Sequence, residues 1–260
     1  MIRPDRPRRR RPAPKGILAG ADEAIFSVLP QEVLAQMRRA GSESAVVWDT
    51  FYPTAHAGIS LLAWTAIRPL WGTAVEPQDD DVLIPYFWGR RVDGDTLPGL
   101  STAAEVVAGR EDRLEVDLFL RGERHLIAVE AKTEGEPGRC SRYEAGRCPE
   151  VHGGSEPCRY WEAPTRFGDS LDFGERPSPA DGVCPPCAVH YQLGRSLLLV
   201  QFLARSSDLI PHLHLVVPRR RWTARRAGWL DFAERVREDE MWRRLRVLAW
   251  EDIIAANLAV

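Results

Sequence analysis

The stretch 113–132 reads RLEVDLFL, then RGER, then HLIAVEAK. Its first part alternates: Leu114, Val116, Leu118 and Leu120 fall on one side, and Glu115, Asp117 and Phe119 on the other. A period of two is the signature of a strand. Residues 125–132 form a second strand, and the link Arg121-Gly122-Glu123-Arg124 is short enough for a hairpin. With the loop at Gly122-Glu123, Asp117 is predicted to face Ala128, and Glu115 to face Glu130. Glu130 and Lys132 are two apart, so they project from one face. Directly opposed residues share a face, which places Glu115, Asp117, Glu130 and Lys132 together. A three-residue loop would send Asp117 to the other side.

Carboxylates gathered on one sheet face repel unless a cation joins them. Oxygen ligands suit Mg²⁺ or Mn²⁺, and Mg²⁺ keeps several waters for a substrate and a nucleophile. Such an ion stabilises charge on a phosphodiester oxygen and acidifies bound water. Asp117 and Glu130 are the metal-ligand candidates, aided by the Ala131 carbonyl. Lys132 would position or activate the water. The chain has 33 Arg but only two Lys, Lys15 and Lys132. A Lys retained under that bias points to a task Arg cannot perform, because the ammonium is compact and its pKa shifts with surroundings. The plain alternative is an exposed face with a cross-strand ion pair.

Working outward, residues 22–40 read as a helix, and 42–67 as one helix bent or broken at Pro53. Residues 71–100 read as irregular. AAEVVA at 103–108 reads as a further strand, 188–205 as an apolar-striped helix, and 212–218 as a strand. A charged helix over 226–240 and a strand over 244–250 close the chain. Asp117, twelve intervening residues, then Glu130-Ala131-Lys132 resembles the D…E-x-K pattern of the PD-(D/E)XK nuclease superfamily, although Val116 replaces the usual Pro. The inferred order from 42 to 218 resembles the α-βββ-α-β mixed-sheet core of that superfamily. His190-Tyr191-Gln192-Leu193-Gly194-Arg195 carries a helix Gln that is a frequent fourth motif there. With Cys140, Cys148, Cys158-Arg159-Tyr160-Trp161 and Cys184-Pro-Pro-Cys187, the chain looks similar to a bacterial group of restriction endonucleases. That resemblance covers about residues 105–205. It implies an α/β restriction-endonuclease-like, phosphodiester-cleaving fold without fixing the substrate; the expected activity is Mg²⁺- or Mn²⁺-dependent cleavage of DNA. Gln192 and Arg195 would orient the site or a phosphate. It also implies an extra acid from the first core helix or strand, for which Glu43 and Glu105 are candidates. Glu43 could instead be a first-turn acid facing the helix dipole, and Thr102-x-x-Glu105 a capping box.

Residues 133–187 are too long for a structureless loop in a compact domain. Five Cys lie there, spaced Cys140-x7-Cys148-x9-Cys158-x25-Cys184-x2-Cys187. Four thiolates can close a Zn²⁺ site or hold an iron–sulfur cluster. The expected set is Cys140, Cys148, Cys158 and Cys187, with Cys184 as alternate and zinc favoured. A redox C-x-x-C and simple packing of free thiols are the alternatives.

The 260 residues suit a single domain over 17–260 preceded by a basic, Pro-rich arm at 1–16, expected to be disordered. Net charge is −2, so any case for nucleic-acid binding must be local. No apolar run is long enough to cross a membrane. No secretory signal is visible and the Cys are clustered, which suggests a reducing cytoplasm. A homo-oligomer or association with other defence-system subunits would be compatible. The rival function is a catalytically silent nuclease-like module that binds DNA or serves assembly. A thiol redox protein would leave the acidic hairpin unexplained.

Overall fold

Among the described residues, six strands form one mixed sheet whose spatial order follows the chain. A computed structural model of the protein describes residues 14–72, 80–109, 116–153, 157–162, 166–179 and 183–256. Helices α1 (Gln31–Gln36) and α2 (Glu43–Phe51) come first, then strand β1 (Ile59–Ser60) and helix α3 (Leu61–Ala66). Strand β2 (Val82–Phe87), helix α4 (Leu100–Val107), and strands β3 (Leu118–Arg121) and β4 (His125–Ala131) follow. The long connection after β4 holds α5 (Ser141–Glu144), α6 (Pro149–His152) and α7 (Pro186–Val189). Helix α8 (Tyr191–Ser207), strand β5 (Ile210–Val217), helices α9 (Arg219–Glu234) and α10 (Asp239–Arg243), strand β6 (Leu245–Ala249) and helix α11 (Trp250–Ala255) complete the order. Strands β1 to β4 are antiparallel neighbours, whereas β4, β5 and β6 run parallel.

The parallel half is what buries the centre. Parallel neighbours need crossover helices; α8 and α9 lie on one sheet face, and α2, α3 and α11 cover the other. All seven residues of β4 are buried. Leu126 and Ala128 join the core under α4, α8 and α9; Ile127, Val129 and Ala131 join the core under α2, α3 and α11. The two-residue strand periodicity therefore feeds two cores. Glu130 lies on the α8 side with no exposure at all.

The α-βββ-α-β order is present, but its first strand is β2, with α4 inserted before β3. Residues 103–108 are thus helical, not a strand. Gly99, at φ 80°, starts α4, and the buried Ala103 and Val107 are four apart, the spacing of one helix face. Thr102 and Glu105 both lie inside α4, so they form no capping box. The supposedly irregular 71–100 contains β2, whose Pro85 looks like a strand breaker. Strand β1 pairs only with Val82 and Leu83, so Pro85 sits where that side of β2 is an edge and no donor is needed.

Other boundaries also move. Residues 42–67 divide into α2, β1 and α3 rather than one bent helix. Ser42 and Ser60 cap the two helices, accepting from Ala45 N–H and Ala63 N–H at 3.3 and 3.2 Å. Residues 22–40 hold a short 3-10 helix and α1. The 188–205 helix begins at Tyr191, after a break at His190, and 226–240 splits into α9 and α10. Residues 1–13 and Glu115 lie outside the described residues. Gly16 already belongs to the fold, donating from its N–H to the Met37 carbonyl at 3.0 Å.

Candidate active site

The hairpin turn fixes the site. Leu118 pairs with Val129 and Phe119 with Ala128, two residues out of the expected register. Asp117, one step beyond the last pair, therefore stands across from Glu130 rather than Ala128. The shift is by two, so the shared face survives. Its cause is Asp81, which accepts from the N–H groups of Glu123, Arg124 and His125 at 2.9, 3.0 and 3.1 Å. This holds a tight turn at Glu123-Arg124, closed by Gly122 N–H donating to the His125 carbonyl. A side chain at Gly122 would meet the Asp81 carboxylate, with a Cβ only 2.1 Å from Oδ2.

Beyond the turn-distal end of the hairpin, a cavity of 290 Å³ is lined by Glu43, Asp117, Lys132, Gln192, Arg195 and Ser196, among others. Glu130 is fully buried and hydrogen-bonded to two of the lining residues, Gln192 and Ser196. Both carboxylate oxygens are held by α8: Gln192 Nε2 donates to Oε2 and Ser196 Oγ to Oε1, each at 2.5 Å. Gln192 and Ser196 are four apart, so one helix face presents both donors. Asp117 accepts from the Ala131 N–H at 2.9 Å. Lys132 Nζ lies 2.8 Å from Glu43 Oε1 and 3.9 Å from Asp117 Oδ2. The Lys132 backbone is pinned too: its N–H donates to Val216 and its carbonyl accepts from Trp250 Nε1.

Burial pushes the Glu130 carboxyl up to about 8, and the Asp117 charge adds to that; Lys132, Ser196 and Gln192 oppose it. Burial alone would lower Lys132, but Asp117, Glu130 and Glu43 outweigh it and hold its pKa above the usual lysine value. At neutral pH the metal-free site thus carries a charged ammonium among carboxylates, one of which keeps its proton. Asp117 and Glu130 supply the hard oxygen donors a divalent ion prefers, and a cation between them would remove the reason for that retained proton.

A family model described as Restriction Endonuclease associating with ARP matches residues 102–258. The chain belongs to this restriction endonuclease family. A search of curated proteins and a search of solved structures each returned no match. The matched region of the REase-ARP family holds Asp117, Glu130, Lys132 and the α8 residues, but begins after Glu43.

Of the two candidates for an added acid, Glu43 reaches the cavity from the first turn of α2. Glu105 is exposed on α4, with its backbone carbonyl accepting from Arg159, and is not among the cavity residues. Arg195 lines the cavity with its guanidinium 4.9 Å from the Tyr191 ring centre. Ser196 and Trp250 were not anticipated. The signal for Ser196 was its position one helical turn after Gln192; nothing local marks Trp250.

The connection carrying the thiols is organised by protein contacts. Cys140 N–H donates to the Ala188 carbonyl, beside Cys187, and Cys158 N–H donates to Glu150. Arg176 bridges Glu150 and Glu162, and Tyr160, Phe167 and Phe173 pack as an aromatic cluster. All five Cys are free. Burial pushes the Cys187 thiol up to about 12, with Cys158, Cys148 and Cys140 adding. Cys158 is likewise raised to about 11, and its neighbours are again Cys140 and Cys148. Cys184 hydrogen-bonds with Tyr143, which also lies near Cys148. The four expected thiols are therefore neighbours, but among the described residues no three His, Cys, Asp or Glu side chains stand so as to hold a metal ion. Also among the described residues, no helix is long and apolar enough to cross a membrane.

Proposed function

We propose that this chain hydrolyses phosphodiester bonds of DNA at the 290 Å³ cavity. The observation that carries the reading is Glu130. A carboxylate with no exposure, held by two α8 donors opposite Asp117, is a costly arrangement that serves no packing purpose. Asp117 and Glu130 would hold Mg²⁺ or Mn²⁺. When bound, the ion supplies charge stabilisation on the phosphate and a more acidic water.

The protein groups have separable tasks. Gln192 and Ser196 orient Glu130. Lys132 stays protonated, so it acts as a hydrogen-bond donor and a positive charge towards a phosphate oxygen or an attacking water, and not as a base. Glu43 holds the ammonium in place at 2.8 Å. Arg195, on the cavity wall, meets the anionic substrate. The two backbone bonds of Lys132 limit its movement, which favours a preset geometry.

The family description names association with ARP, and we extend that association to this chain as part of a restriction or defence role. A Zn²⁺ at Cys140, Cys148, Cys158 and Cys187 is a second proposal, supported by their mutual proximity, and no step of the cleavage runs through it. The decisive experiment is incubation of purified protein with plasmid, with and without Mg²⁺ or Mn²⁺, beside Asp117→Asn and Lys132→Ala. Metal-dependent cleavage by the wild type alone supports the enzyme. Undiminished cleavage by either variant rejects the mechanism, and no cleavage by the wild type favours the silent DNA-binding module.

A further inference from the structure

The N-terminal half of α9 contains Arg219, Arg220, Arg221, Arg225 and Arg226, with no acid in its first turn and no side-chain cap. Cations at a helix start oppose the helix dipole, so the arrangement works against helix stability. In a chain whose net charge is −2, this concentration is a local departure. Arg219, Arg220, Arg221 and Arg226 are exposed. Arg225 is buried, paired with Glu136 at 3.2 Å and donating to the Glu134 carbonyl, while its Nη1 has no hydrogen-bond partner among the described residues.

This surface adjoins the cavity. Strand β5 ends at Val217 and leads into α9, and its Val216 carbonyl accepts from Lys132 N–H. Glu134, two residues after Lys132, is gripped by Arg220 at 2.9 Å and by Arg221. Arg139 lines both the active-site cavity and a neighbouring 250 Å³ cavity that Arg225 also lines. Cationic groups therefore continue from Arg195 and Lys132 through Arg139 to α9.

We propose that the exposed arginines of α9 are the anchor for the DNA backbone flanking the cleaved phosphate. The inference rests on the nuclease reading and adds where the duplex lies. Glu134 and, at Arg219, Asp252 occupy these guanidiniums in the free protein. Arg220 is 71% and Glu134 60% exposed, so their pairing is solvent-screened and phosphates can replace it. Arginine forks suit such oxygens. The contacts fix position on the duplex without reading bases.

The test is fluorescence anisotropy with a short labelled DNA duplex, phosphorothioate-linked to resist cleavage, in Mg²⁺ at several salt concentrations. Arg220→Gln/Arg221→Gln should weaken binding about tenfold or more and lower the salt slope by about one to two. Arg220→Lys/Arg221→Lys should keep most of the slope. Arg205→Gln, at the far end of α8, should bind like the wild type. Equal affinity and slope for the Gln pair and the wild type overturn the anchor while leaving the nuclease reading intact; the arginines would then suit an acidic protein partner. Absence of duplex binding by the wild type overturns both.

Discussion

Replacing Glu130 by Gln should make the metal-free protein more stable at alkaline pH. The folded carboxyl has its pKa raised to about 8 from an ordinary 4.5. Between those values the folded state binds a proton that the unfolded state has released. Stability from this group is therefore complete below the unfolded value and is lost as pH rises through the folded one. Each pH unit is worth about 1.4 kcal/mol, so from pH 5 to pH 8 the wild type should lose at most about 4 kcal/mol from this residue. Gln mimics the protonated acid. Its oxygen can accept from Gln192, and its NH₂ can donate to Ser196 once that hydroxyl rotates. Near pH 5 the two proteins should differ by less than about 1.5 kcal/mol. The assay is urea unfolding in EDTA at half-unit pH steps. Other titrating groups act on both proteins, so the difference between the curves isolates Glu130. Parallel curves from pH 5 to 8 would refute the buried-acid argument. Mn²⁺ added at pH 8 should stabilise the wild type by about 2.7 kcal/mol at a hundred times its dissociation constant, and the variant much less.

Asp117→Asn should abolish metal-dependent cleavage with little change in the unfolding midpoint, since the amide oxygen can still accept from Ala131 N–H. Lys132→Ala should lower cleavage at least about a hundredfold while circular dichroism stays native; a smaller loss would remove the ammonium from the mechanism. Asp81→Ala leaves three turn N–H groups without their acceptor and should cost about 2–4 kcal/mol in urea unfolding, with cleavage falling as the hairpin register loosens. Elemental analysis should find about one zinc per chain, lost from a Cys148→Ser/Cys158→Ser protein; a metal-free, fully folded wild type would discard the thiolate site.

Sequence alone determined the elements whose signal is local. The alternation in 113–132 gives the hairpin and the common face of Asp117 and Glu130, because strand side chains alternate whatever the partner. The apolar stripe of 188–205 gives α8, and position four residues apart is enough to set Gln192 and Ser196 on one face. Tertiary structure decided everything that joins distant segments. Asp81 chooses the hairpin register from 42 to 44 residues away. Glu43 reaches Lys132 across 89 residues, and Trp250 anchors its carbonyl across 118. Strand β2 was hidden because Pro85 is acceptable only at an edge, and edges exist only once neighbours are placed. AAEVVA took the helical form because Ala103 and Val107 found a core beneath one helix face, which its short apolar run did not specify. Local periodicity is set by backbone geometry, whereas register and long-range partners are set by which distant groups can satisfy a buried donor or charge.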